Sequence, residues 1–144
     1  MSESKLPNVV NVDEVEEQVH LQGDHWGHAY KVLTPSVERL GHVGMGCNRL
    51  PPGRAAVPFH THQIEDEIFF VLSGRGVLRY GDVLRELRPG DCIACPAGTG
   101  VAHQFANPFD EDFVYLAVGG VVPLLWFFAE SRGPAAAHGA TPAQ

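Results

Sequence analysis

PFHTHQIEDEIFFVLSG, residues 58–74, places two histidines ahead of three consecutive acids and an apolar run. In an extended segment, side chains two apart leave the same face, so His60 and His62 project together. Two imidazoles side by side suit adjacent positions on one metal ion. Taken alone, such a pair is more often two exposed histidines on an edge strand. After the turn residues Gln63 and Ile64, the strand EIFFVLSG begins. Glu67, Phe69 and Val71 share one of its faces; Asp66, Ile68, Phe70 and Leu72 share the other. Both faces are apolar, which is the pattern of a strand buried on both sides. A carboxylate at the head of such a strand needs a partner, because an unpaired buried charge is costly. A divalent cation is one such partner. Alternation alone does not choose between Glu65, Asp66 and Glu67 as its ligand.

The same rhythm continues outward from this stretch. LGHVGMGCNRL, VPFHTH, GVLRY, VLREL, DCIAC, VAHQFA, DFVYLAV and VVPLLWFF are short runs separated by Gly, Pro, Asp or Asn. Many short strands at regular spacing, with 16 Gly and 11 Pro in 144 residues, predict an all-β sandwich or barrel. No segment sustains a 3.6-residue period over ten residues. Residues 21–36 show no clean period. The chain divides into an N-terminal arm over 1–36, a barrel over 37–129 and a flexible tail over 130–144, whose small polar residues lack core-forming pattern.

A third histidine, His103, lies between Val101 and Phe105 on one face of a later strand. With it the chain resembles the cupins, small jelly-roll barrels of the double-stranded β-helix type. Their first motif runs H-x-H, three or four residues, Glu, six residues, Gly; here that is His60, His62, Glu67 and Gly74. A gap of three would select Asp66, the wrong residue type. Their second motif is matched by Gly90, Pro96, Gly98, His103 and Asn107. Gly53 precedes His60, and Gly98 precedes His103, at longer spacings than the pattern has; both differences fall in loops, where length varies cheaply. LPPG and PAGTGVAHQFAN further resemble small bacterial cupins of a sugar-phosphate-isomerase-like group. One fold hosts many activities, so that group does not define a substrate.

The resemblance implies one metal site inside the barrel, formed by His60, His62, Glu67 and His103. Three imidazoles and a carboxylate suit a divalent Mn, Fe, Co, Ni or Zn ion. Open positions on such an ion would serve isomerase-type chemistry or O₂ activation on a small polar molecule. The competing expectation is a cupin that binds or senses a small ligand without turnover. No general base is evident in the motifs, and Glu65 and Asp66 are placed at the rim.

Composition narrows the partners. The net charge is −7 and no basic cluster exists, which excludes a nucleic-acid surface. Phe113–Ala129 is the most apolar stretch, but Gly119, Gly120 and Pro123 interrupt it and it is short for a membrane span. It reads as two buried strands joined by a turn. The N-terminal residues lack a signal-peptide core, and three cysteines are an odd number for a disulfide framework, so a cytoplasmic protein is expected. Apolar surface beyond what one small barrel needs inside predicts a homodimer.

Weaker candidates have plainer readings. Cys92 and Cys95 form a C-x-x-C, but residues three apart on a strand face opposite sides, against a shared metal or redox role. Cys47 reads as a small core residue. His25 and His28 have ligand-like spacing beside Asp24 without a second half-site. His20, His42 and His138 stand alone. Gln104 lies on the strand face opposite His103. Phe69, Phe105 and Tyr115 fit a pocket lining or a plain core. Arg49, Arg79 and Tyr80 could meet an anion, with solvated surface as the default for the arginines.

Overall fold

The computed structural model describes residues 6, 8–34 and 40–120. Ten strands and one short 3₁₀ turn, Val12–Glu14, make up the regular structure among the described residues. The strands are β1 Gln18–Gln22, β2 Trp26–Val32, β3 Val43–Leu50, β4 Arg54–Ala55, β5 Glu67–Ser73, β6 Gly76–Tyr80, β7 Val83–Leu87, β8 Cys92–Cys95, β9 His103–Asn107 and β10 Phe113–Gly120. They form one curled sheet in the order β7-β6-β9-β4-β2-β3-β10-β5-β8, with β1 paired to β2. All pairings are antiparallel except the short contact of β2 with β4. The all-β barrel expected from the spacing of the runs is the fold observed.

Alternation decides which side chains enter the barrel. On β5, Phe69 and Val71 are buried and Glu67 is half-buried, whereas Ile68, Phe70 and Leu72 are 47%, 41% and 44% exposed. The expectation that β5 is covered on both faces is therefore corrected: nothing among the described residues covers its outer face. Phe69, Phe105, Phe113 and Tyr115 form a chain of ring contacts with centroids 4.7–6.3 Å apart. Around it pack Leu50, Val71, Leu78, Leu87 and Ile93. Each fully buried side chain of this size contributes about 1.5–3 kcal/mol relative to exposure.

Two motif residues have purely structural work. Gly74 has φ +72°, and a Cβ there would sit 2.0 Å from the Asp112 carbonyl oxygen. Only glycine serves at that turn. The buried Asn107 amide donates to the carbonyls of Leu50 (2.8 Å) and Glu111 (2.7 Å), and its oxygen accepts from the Phe109 N–H (3.0 Å). It ties β3 and the β9–β10 loop to the end of β9.

The β1–β2 hairpin was not expected from residues 21–36. β2 is hydrogen-bonded to β3 from Ala29 to Val32 and touches β4 at Trp26. It buries the consecutive residues Ala29 and Tyr30, so it shows no period of two. Residues assigned to the arm thus supply two strands of the sheet, β1 and β2. The second apolar run after β10, Val121–Phe128, and His138 lie outside the described residues.

Candidate metal centre

Four side chains reach one point at an end of the barrel's inner face. His103 opens β9 and is 3% exposed; Glu67 opens β5. His60 and His62 do not lie on a regular strand, contrary to expectation. His60 makes a single antiparallel bridge to His103, with reciprocal backbone bonds of 3.2 and 2.9 Å, and His62 follows in loop. That bridge, reinforced by the Gly98 N–H donating to the His62 carbonyl (2.9 Å), brings the loop across to β9. The ligand atoms of His60, His62, Glu67 and His103 all lie within 4.8 Å of one another, as a metal-holding group requires. The four residues singled out by the motifs are brought together.

The directions of these atoms are as informative as the distances. Glu67 Oε2 is 3.0 Å from both His62 Nε2 and His103 Nε2. Yet Glu67 Oε2 and His103 Nε2 are buried without a hydrogen bond of proper geometry. Both atoms belong to the group of ligand atoms within 4.8 Å of one another. Buried polar atoms without a partner are rare and costly, and a cation held within that group would satisfy them. His60 Nδ1–H donates to the Pro58 carbonyl at 2.7 Å, so its Nε2, 3.0 Å from His62 Nε2, is the nitrogen turned towards the other ligand atoms. The residues present fit a divalent transition metal.

The electrostatics agree. Burial pushes the Glu67 carboxyl up, but the facing His103 and His62 outweigh it and hold it down at about 2. Burial lowers His60, against the pull of the Pro58 carbonyl, so its imidazole stays neutral. Glu67 raises His62, with burial opposing and Glu65 assisting. An anionic carboxylate beside a neutral imidazole is the protonation state that metal ligation uses.

The surroundings are largely apolar. The Phe69 ring lies 5.8 Å from His103, with Phe105 behind it. The Tyr115 phenol is pushed up by burial and by Glu67, so it remains neutral. Tyr80 is the register partner of His103. It also lines a pocket of about 390 Å³ at the seam between β7 and β8, with Leu78, Arg85 and Ile93. Cys95, the register partner of Glu67, is buried, and burial together with Glu67 raises its thiol to about 11.

Other candidates resolve into structure. Cys92 is exposed and Cys95 buried on opposite faces of β8, and all three cysteines are free. Arg49 is held by Glu17 at 2.6 Å and Asp112 at 3.3 Å. Arg79 covers the Phe59 ring at 3.9 Å. Gln104 donates to the Val57 carbonyl at 2.9 Å. Burial lowers His28, whose ring stacks obliquely on Tyr30 rather than joining His25 in a site. Asp66 stays at the rim and accepts from the Ala97 N–H at 2.8 Å. Glu65 does not stay there. Its side chain is 12% exposed and reaches to 3.6 Å from His62 Nδ1. Strand alternation could not find it, because residues 61–66 are not a strand; its only signal was its position three residues after His62.

Comparison with known proteins agrees with this architecture. An oxalate-binding protein of Thermotoga maritima is 34% identical over 70 residues, covering 49% of this chain and 55% of that one, so the match spans about half of the relative's length. A solved sugar phosphate isomerase from a cupin superfamily, from Silicibacter pomeroyi, superposes with a TM-score of 0.71 at 29% identity, over 80% of this chain and 76% of that one. A predicted oxalate decarboxylase of Thermotoga maritima shares the fold, with a TM-score of 0.64 at 23% identity, over 79% and 99% of the two chains. The cupin domain pattern matches residues 48–119, which hold both histidine motifs and run from the end of β3 through nearly all of β10. By its barrel, its motifs and this match, the chain belongs to the cupin family.

Proposed function

We propose that this cupin binds one divalent transition metal (Mn, Fe, Co, Ni or Zn) through His60, His62, Glu67 and His103, and acts on a small polar molecule there. The observation that supports it most is the convergence of four donor atoms within 4.8 Å, two of them buried with no directed hydrogen bond. When bound, the metal would act as a Lewis acid on a substrate oxygen, or as a redox centre for O₂ if it is iron. The chain's own contribution is to hold Glu67 anionic and His60 neutral, and to keep bulk water off one side with Phe69 and Phe105. The relative named as a sugar phosphate isomerase supports isomerase-type chemistry, and dioxygenase-type chemistry is the alternative within the same site.

A second reading has its own support. His103 has the Phe69 and Phe105 rings as neighbours, and the acids in contact with the histidines are Glu67 and the Glu65 that faces His62. Such a site suits a metal-dependent ligand-binding protein without turnover, and the relative named as oxalate-binding is in keeping with that.

The same reading includes a homodimer in the cytoplasm. Val43 and Met45 on β3 and Ile68, Phe70 and Leu72 on β5 are exposed on the outer face, with β10 between these strands. A second copy is the occupant this surface suits. Three free cysteines suit a reducing compartment. No helix among the described residues is long and apolar enough to cross a membrane.

The test is elemental analysis of protein purified without chelator. Near-stoichiometric transition metal is expected, and clean absence overturns the proposal. Turnover of candidate sugar phosphates or O₂ consumption by the loaded protein, against binding alone, separates the two readings.

A further inference from the structure

Glu65 is an acid in an unusual position. Its side chain is nearly enclosed, and Oε1 is fully buried with no hydrogen-bond partner. Oε2 faces His62 Nδ1 at 3.6 Å, an ion-pair contact too long for a hydrogen bond. Room for it is made by Gly120: a Cβ there would stand 3.3 Å from Glu65 Cγ. Behind it lies an open surface pocket of about 430 Å³, also lined by His42 and Asp66. Solvent is thus close, yet the carboxylate turns towards the imidazole.

The two nitrogens of His62 have different neighbours. Nε2 is 3.0 Å from Glu67 Oε2 and 3.0 Å from His60 Nε2, so it faces the converging ligand atoms. Nδ1 faces Glu65. A histidine that gives Nε2 to a metal must carry its proton on Nδ1, and a group accepting from that N–H fixes the ring and raises its donor strength. His60 has this second partner in the Pro58 carbonyl. For His62, which sits on a loop without strand pairing, no comparable backbone acceptor is found among the described residues.

We propose that Glu65 is a positioning residue for the metal site: it accepts from His62 Nδ1–H, selects the tautomer that presents Nε2, and places a second negative charge behind the ligand. This rests on the assignment of His62 as a ligand. Glu65 itself does not coordinate; its nearer oxygen is on the far side of the imidazole from the other three donors. The buried, unpaired Oε1 is the cost of that placement, and a contact of 3.6 Å needs to shorten by only some tenths of an ångström to become a hydrogen bond.

The experiment uses the 144-residue chain, stripped with chelator and titrated with Co(II) against a competing chelator dye, with the visible absorption of the bound ion recorded. Glu65→Ala is expected to weaken Co(II) binding by about 10–100-fold and to change the absorption bands. Glu65→Gln keeps an acceptor oxygen and should restore the bands while recovering only part of the affinity. Thermal unfolding of metal-free Glu65→Ala should match or exceed wild type, because a buried unpaired oxygen is removed. Unchanged affinity and bands in Glu65→Ala overturn the inference. So does a loss that merely tracks lower stability of the metal-free variant. If wild type itself takes up no Co(II), the metal-site reading falls, and this inference with it; wild-type binding with an indifferent Glu65→Ala sinks this inference alone.

Discussion

Glu67 Oε2 and His103 Nε2 stand 3.0 Å apart, both buried, and neither is directed at the other as a hydrogen bond would be. The pair therefore holds charge and donor atoms ready in the folded chain. His103→Ala removes a buried ring and the neighbour that helps hold the Glu67 carboxylate anionic, so the metal-free protein should lose about 0.5–3 kcal/mol of stability in denaturant titration. Glu67→Gln keeps the volume and removes the charge. Metal content should fall steeply in both variants.

The choice among the three acids is checked by metal content after gel filtration. His62→Ala and Glu67→Ala should each lose most of the bound metal. Asp66→Ala should retain it, because Asp66 is exposed at the rim and accepts from the Ala97 N–H. Its cost should be a modest loss of stability, about 1 kcal/mol. Equal metal losses from Asp66→Ala and Glu67→Ala would contradict the assignment.

Acid stability carries a sign. Glu67 titrates near 4.5 when unfolded and near 2 when folded, so the unfolded chain takes up its proton first. Its contribution is present in full above about pH 4.5 and disappears as pH falls towards 2. His62 works in the other direction: its folded value lies above 6.5, so its contribution is complete below 6.5 and is lost as pH rises through that higher value. Thermal melts of chelator-treated wild type and Glu67→Gln should therefore converge as pH drops below about 4.5. A constant difference across that range would contradict the account.

The outer face predicts assembly. Phe70 is the register partner of Leu116 in the middle of the exposed apolar surface. Phe70→Glu should convert a dimer to a monomer in sedimentation velocity, with metal content unchanged, since Phe70 points away from the site. A wild-type chain that sediments as a monomer at tens of micromolar would contradict the dimer.

The sequence was informative wherever a residue's task is set by local geometry. Gly74 reads as a turn residue between strands, and the cupin motif spacing, not strand alternation, singles out Glu67 and His103. The sequence was misleading where tertiary contacts override alternation. His60 and His62 share a site through one bridge to His103 and a loop, not through a strand. β2 buries Ala29 and Tyr30 in succession, which erases its period. The apolar outer face of β5 looked like core because periodicity records polarity without recording what covers it. Glu65 was hidden for a related reason: in a run of three acids, only the turn's path shows which carboxylate doubles back to the imidazole.

The most direct measurement is anomalous X-ray scattering from crystals of protein purified without chelator, with data on both sides of the absorption edge found by fluorescence. One peak is predicted within about 2.0–2.3 Å of His60 Nε2, His62 Nε2, His103 Nε2 and a Glu67 oxygen. A site with no anomalous peak, or a peak bound by Asp66 in place of Glu67, would contradict the account.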